Sequence, residues 1–378
     1  MKLKLNYGGE MIGDKLDKRI YRVLCIDGGG MRGIYSATYL KALASAYSRK
    51  RGIAGIDLGA SFDLIAGTST GAILACALAK NVPLDHIIAL YEENGVKIFP
   101  ERMPKSKLRL FGQLIRRSRV VAMGRIALAD ALSAELKDDT IGDIWRDRGI
   151  ALAIPAVEMS RLRSWVFKTP HLANSKHRDD NYRLVDVCLA STAAPVYRSL
   201  TAIDNPDDDE HHVFVDGGLW ANNPVLVGLT DALLCTEPGD RIEVFCLGTS
   251  PAPEGEFIDK GNVDWGLAEW EFGSKAAKTS IAAQEYAYDN IARMIAGQIK
   301  DREVSVDRFP SGCINEALLP YLSLDETSRE GLSALKRQAL TDVSEAMSKF
   351  GDPSNPLGKR MDDFFMNTKP ILQEADNV

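Results

Sequence analysis

The stretch Phe62-Asp63-Leu64-Ile65-Ala66-Gly67-Thr68-Ser69-Thr70-Gly71-Ala72-Ile73-Leu74-Ala75-Cys76-Ala77-Leu78-Ala79-Lys80 joins a short apolar run to a longer apolar, helix-favouring one through Gly67-Thr68-Ser69-Thr70-Gly71. The first run reads as a buried strand and the second as a helix. The five residues between them have the form G-x-S-x-G, which on a strand-to-helix turn lifts a serine hydroxyl above the carboxyl end of a sheet. Small residues at Gly67 and Gly71 let the backbone bend that sharply, and the following helix turns its N-terminus toward developing negative charge. The competing reading is an ordinary βα loop with a glycine-flanked serine.

The same unit occurs one step earlier. Residues 22–27 (RVLCID) end in Gly28-Gly29-Gly30, and Ile34, Ala37, Leu40, Ala44 and Tyr47 recur at helical spacing until Gly52. Further strands are expected at 150–157, 165–168, 213–215 and 242–247, with helices at 84–91, 184–190, 224–234 and 275–296. This alternation predicts an α/β fold with a mostly parallel central sheet covered by helices on both faces. Residues 20–260 are expected to form the catalytic domain, and 261–378 a helical C-terminal extension packed on it, with 327–350 its longest helix.

Composition bounds the rest. The 378 residues are 45% hydrophobic and carry a net charge of −6, which describes an ordinary globular chain and argues against nucleic acid as a partner. Six cysteines without a C-x-x-C pair indicate buried free thiols, with neither a metal site nor a disulfide framework. No secretory h-region and no run of ~18 apolar residues is present, so a cytoplasmic location is expected. One segment departs from the background. Between Arg102 and Arg125 lie eight basic residues and no acidic ones, interleaved with Leu108, Leu110, Phe111, Leu114 and Ile115. Arg116, Arg117 and Arg119 at its centre are candidates for contact with a membrane or an anionic ligand; the alternative is a solvated basic helix face.

Two more constellations could carry chemistry. In Asp27-Gly28-Gly29-Gly30-Met31-Arg32-Gly33, successive backbone N–H groups can converge on a phosphate or an oxyanion, with Arg32 beside them. Gly28, Gly30 and Gly33 also fit G-x-G-x-x-G, but the acidic residue that a dinucleotide site needs at the next strand end is missing. Asp216, before Gly217 and Gly218, ends an apolar run and could be a turn residue or a general base for Ser69. A Ser-His-acid enzyme of α/β-hydrolase order would place its histidine late in the chain. The five histidines are His86, His171, His177, His211 and His212, and none follows the best acid. A triad is disfavoured, and a serine activated directly by a carboxylate remains. His171 and His177, in a polar loop, are expected to be solvated.

The ordered set of these three motifs, with Ala190-Ser191-Thr192-Ala193-Ala194-Pro195 between the second and third, resembles the patatin-like phospholipase family over about residues 20–250. The resemblance implies a lipid acyl hydrolase working through a Ser-Asp dyad: Ser69 as nucleophile, Asp216 as base, and Gly28, Gly29 and Gly30, supported by Arg32, as oxyanion hole, with no metal and no cofactor. Length and the extended C-terminal part are similar to the cyclic-nucleotide-activated phospholipase effectors of bacterial antiphage systems. That likeness implies a phospholipid substrate at the inner face of a membrane, a cyclic di- or trinucleotide activator and a homo-oligomer. A constitutive cytosolic lipase, a nucleotide-binding module without hydrolase activity and an inactive membrane-recruited scaffold are the alternatives.

Overall fold

The structure, a computed structural model, describes residues 18–102, 117–205, 210–250, 258–266, 269–270, 273–310, 316–352 and 354–371. Eight strands form one sheet: β1 (Ile20–Ile26), β2 (Leu64–Gly67), β3 (Ala151–Glu158), β4 (Arg163–Lys168), β5 (Thr201–Asp204), β6 (His211–Asp216), β7 (Arg241–Leu247) and β8 (Glu303–Phe309). Their order is β5-β6-β3-β2-β1-β7-β8, with β4 also paired to β3. The run from β3 to β8 is parallel, and β4, β5 and β6 add an antiparallel flank. The sheet is therefore mixed and mostly parallel.

The α-helices longer than one turn are α1 (Gly33–Arg51), α2 (Thr70–Lys80), α3 (Leu84–Ile98), α4 (Arg117–Leu136), α5 (Ile141–Arg148), α6 (Leu184–Ser191), α7 (Val225–Leu234), α8 (Ser274–Gln298), α9 (Arg329–Phe350) and α10 (Pro356–Asn367) among the described residues. Side chains alternate along β1, so Leu24 and Ile26 face one layer while Val23 and Cys25 face the other. The first layer contains α1, α2 and α3, and the second α7. In α2 every residue from Thr70 to Ala79 is buried. Its alanines and Cys76 leave no bulky side to hold it off the sheet, as an all-round apolar helix in a core requires.

The C-terminal part, expected to be a helical extension, also contains a strand: Glu303–Phe309 is β8, the edge strand parallel to β7. Alternation of Val304 and Val306 with Glu303, Ser305 and Asp307 is the pattern of a half-covered strand. The rest of this part also packs against the sheet layers. Tyr35 of α1 donates to Asp342 of α9, and Tyr47 stacks on Phe365 of α10 at 4.5 Å between ring centroids. The five described cysteines are free, and all but Cys235 are buried. Among the described residues no helix is long and apolar enough to cross a membrane.

Candidate active site

Three chain segments meet at the carboxyl ends of β1, β2 and β6. Ser69 sits between β2 and α2 with φ 54° and ψ −123°, a backbone conformation that costs a non-glycine residue about 1–3 kcal/mol. Close packing holds it there. A Cβ on Gly67 would lie 2.2 Å from the Gly71 carbonyl oxygen, and one on Gly71 would lie 2.3 Å from that of Ile26. The G-x-S-x-G spacing thus reflects backbone contact on both sides of the serine. The Ser69 N–H is satisfied by Ser191 Oγ at 2.9 Å, and Ser191 in turn donates to the Pro155 carbonyl at 2.7 Å.

The Ser69 hydroxyl donates to Asp216 Oδ2 at 2.7 Å. Asp216 ends β6, and its second oxygen, Oδ1, accepts from the Gly218 N–H at 2.6 Å. Its own N–H donates to the Ala193 carbonyl at 3.1 Å, so the 190–195 segment braces both residues of the pair. Burial pushes the Asp216 carboxyl up to about 6, against the lowering effects of the Gly218 N–H, the Ser69 hydroxyl and the nearby Arg198 charge. At neutral pH the group is mainly ionised and only weakly stabilised in that form, which is the state a proton acceptor needs.

The five histidines are engaged elsewhere. His86 meets Glu135 and His177 meets Asp180, both at exposed sites, and His212 packs between Glu158 and Trp165. His211 is exposed. His171 is not solvated as its polar loop predicts. Its buried side chain bridges Thr169 Oγ1 at 2.8 Å and Asp231 at 3.2 Å, and Asp231 also binds Lys168, which ties β4 to α7.

The glycine loop lies beside the pair. The Gly28 N–H donates to the Asn222 carbonyl at 3.0 Å, the Gly29 N–H to Thr70 Oγ1 at 3.1 Å and the Met31 N–H to the Leu324 carbonyl at 2.8 Å. The Gly30 N–H has no acceptor among the described residues. At Gly30, φ is +58° and a Cβ would lie 2.3 Å from the Leu324 oxygen, so glycine alone fits. Arg32 Nε donates to the Gly29 carbonyl at 3.3 Å and stiffens the loop. Of the basic trio, Arg119 is exposed on α4, the Arg117 backbone begins that helix, and Arg116 lies outside the described residues.

Residues that sequence spacing does not reveal complete the site. Asn222 donates from Nδ2 to the Gly28 carbonyl at 3.3 Å and to Glu285 of α8, and its N–H donates to Gln284 at 3.0 Å. Arg308 of β8 joins Asp27 at 2.6 Å to Asp289 of α8 at 2.8 Å. These partners lie up to 281 positions apart, and only the fold brings them together.

A serine presented this way on a mostly parallel α/β sheet, against a buried carboxylate, defines a class of hydrolytic enzymes. The chain belongs to the patatin-like phospholipase family, whose model matches residues 24–229. Over 311 residues it is 35% identical to a cGAMP-activated phospholipase of Pseudomonas aeruginosa, covering 78% of this chain and 85% of that protein. A cGAMP-activated phospholipase of Escherichia coli is 28% identical over 363 residues, 92% of this chain and 97% of its own length. A cUMP-AMP-activated phospholipase, also of Escherichia coli, is 29% identical over 242 residues, covering 62% and 66%.

Proposed function

We propose that the protein hydrolyses acyl ester bonds of membrane phospholipid with Ser69 as nucleophile and Asp216 as its base, and that a cyclic nucleotide switches it on. The observation that carries the catalytic reading is the 2.7 Å hydrogen bond from the Ser69 hydroxyl to Asp216 on a strained turn. Asp216 Oδ2 takes the hydroxyl proton as Ser69 Oγ attacks the ester carbonyl carbon. The carbonyl oxygen becomes an oxyanion, met by the Gly30 N–H, by the Gly29 N–H once it releases Thr70, and by the N-terminus of α2. Collapse breaks the C–O bond, and the departing alcohol takes the proton from Asp216. Water, activated by the same carboxylate, then releases the fatty acid. No metal or cofactor enters these steps.

The base must be ionised, so kcat/KM for a soluble ester should fall about tenfold per unit below about pH 6. An imidazole has a reference pKa of about 6.5, so the position of this limb does not separate the two bases. Its temperature dependence does. A carboxyl limb stays nearly fixed on warming, because its ionisation absorbs little heat, whereas an imidazole limb moves down. A limb that moves as an imidazole does would contradict Asp216 as the base.

Regulation rests on the activators for which the relatives are named and on one structural fact. The C-terminal part touches the glycine loop through Leu324 and Arg308. A ligand bound to that part could bias the loop, and moving a 1:99 equilibrium to 99:1 needs ~5.5 kcal/mol of differential affinity. Fatty acid release from phospholipid vesicles should rise at least about tenfold with one member of a panel of cyclic di- and trinucleotides. High basal release that none of them changes, with no binding, would favour a constitutive lipase. Membrane contact through Arg116, Arg117 and Arg119, at the inner face of a bilayer, and self-association are parts of the same proposal that rest on sequence pattern and resemblance.

A further inference from the structure

Arg198 is 8% exposed, yet its guanidinium makes no hydrogen bond or ion pair with any described residue. Other half-buried arginines have protein partners: Arg308 pairs with Asp27 and Asp289, Arg148 with Asp57 and Arg360 with Asp307, while Arg32 and Arg51 donate to backbone carbonyls. A buried, unmatched cation is unfavourable in a folded chain unless something else completes it. Burial also lowers its pKa to about 10, against the opposing pull of Asp216, which leaves it charged at neutral pH.

Its position is fixed by the same segment that braces the dyad. The Arg198 N–H donates to the Ala194 carbonyl at 2.9 Å, and Ala193 receives the Asp216 N–H. No ion pair joins Arg198 to Asp216, yet its charge favours the ionised carboxylate. The flanking Val196 and Leu200 are exposed, as is Leu219, one residue beyond the Gly218 that caps Asp216. A cation on a segment that also exposes apolar side chains suits a ligand that is part phosphate and part hydrocarbon.

We propose that Arg198 binds the phosphodiester of the phospholipid substrate and so selects phospholipid over neutral glycerides. This rests on the acyl-hydrolase reading. A guanidinium offers paired donors that suit two phosphate oxygens, and a charge-assisted contact of this kind is stronger than a neutral one. The same cation lowers the Asp216 pKa, so a test must separate substrate binding from tuning of the base.

Wild type, Arg198→Gln and Arg198→Lys should be compared at pH 8, where Asp216 is ionised, on monomeric dihexanoyl phosphatidylglycerol and on dihexanoylglycerol, which present the same acyl chains. Arg198→Gln should lose about 30-fold or more in kcat/KM on the phospholipid, mainly through KM, and at least about tenfold less on the diglyceride. Arg198→Lys should recover part of the phospholipid rate. Equal losses on both substrates would overturn the proposal and leave Arg198 a role on Asp216 alone. A second measurement is independent of turnover: calorimetric binding of the phospholipid, and separately of inorganic phosphate, to Ser69→Ala with and without Arg198→Gln. Loss of phospholipid binding in the double variant supports the inference. Unchanged lipid binding, or binding of inorganic phosphate alone, contradicts it. Absence of turnover on either ester, with and without each member of the cyclic nucleotide panel, would instead count against the hydrolase reading.

Discussion

Replacing Ser69 by alanine is expected to lower turnover of phospholipid and of soluble esters by at least about a thousandfold, with up to about a millionfold lost where the serine acts as one unit with its base. The residual rate would come from substrate positioning and the oxyanion donors. The fold should remain intact. Alanine keeps the Cβ that the turn already accommodates, and the Ser69 N–H still reaches Ser191. Fatty acid release at saturating substrate, read beside thermal melting, checks both halves. Undiminished release from a well-folded Ser69→Ala protein would remove Ser69 from the chemistry.

Asp216→Asn should lose about a thousandfold or more for a different reason. The carboxamide oxygen can still accept from the Gly218 N–H, which turns the amide NH2 toward Ser69. The serine hydroxyl then faces a donor and has no group to receive its proton. The histidines provide the contrast. His86 and His177 are exposed and paired with Glu135 and Asp180, so replacing either should spare the rate. Replacing His171 or His212 should lower stability, because each fills a buried polar cluster, while the rate per folded molecule is kept. Initial rates corrected for folded fraction measure all five variants, and a histidine variant as inactive as Asp216→Asn would contradict a two-residue mechanism.

The parts of this fold that are legible in the sequence share a physical reason. β1 and β2 are buried on both faces and end at glycines, so each reads as an unbroken apolar run with a sharp stop. Ser69 and Asp216 stand at such stops, and backbone crowding around Gly67 and Gly71 leaves a mark in composition. β8 is harder to read. It is an edge strand in which only Phe309 is buried, and it lies among long helices. β5 has four residues, too few for alternation to stand out. The polar supports of the glycine loop, Asn222, Gln284, Glu285 and Arg308, are ordinary surface-type residues in sequence, and their partners come from distant segments. His171 was legible as polar but not as buried, because Asp231 and Thr169 satisfy it only once β4 and α7 are packed.

On the proposed mechanism, acyl transfer passes through Ser69 with Asp216 as its base. The most direct measurement is acid quenching during turnover of a slowly released ester, followed by intact-mass analysis and peptide mapping. One acyl group per chain is expected, on the peptide containing Ser69, absent from Ser69→Ala and formed far more slowly by Asp216→Asn. An acyl group on any other residue, or turnover by Ser69→Ala at the wild-type rate, would contradict it.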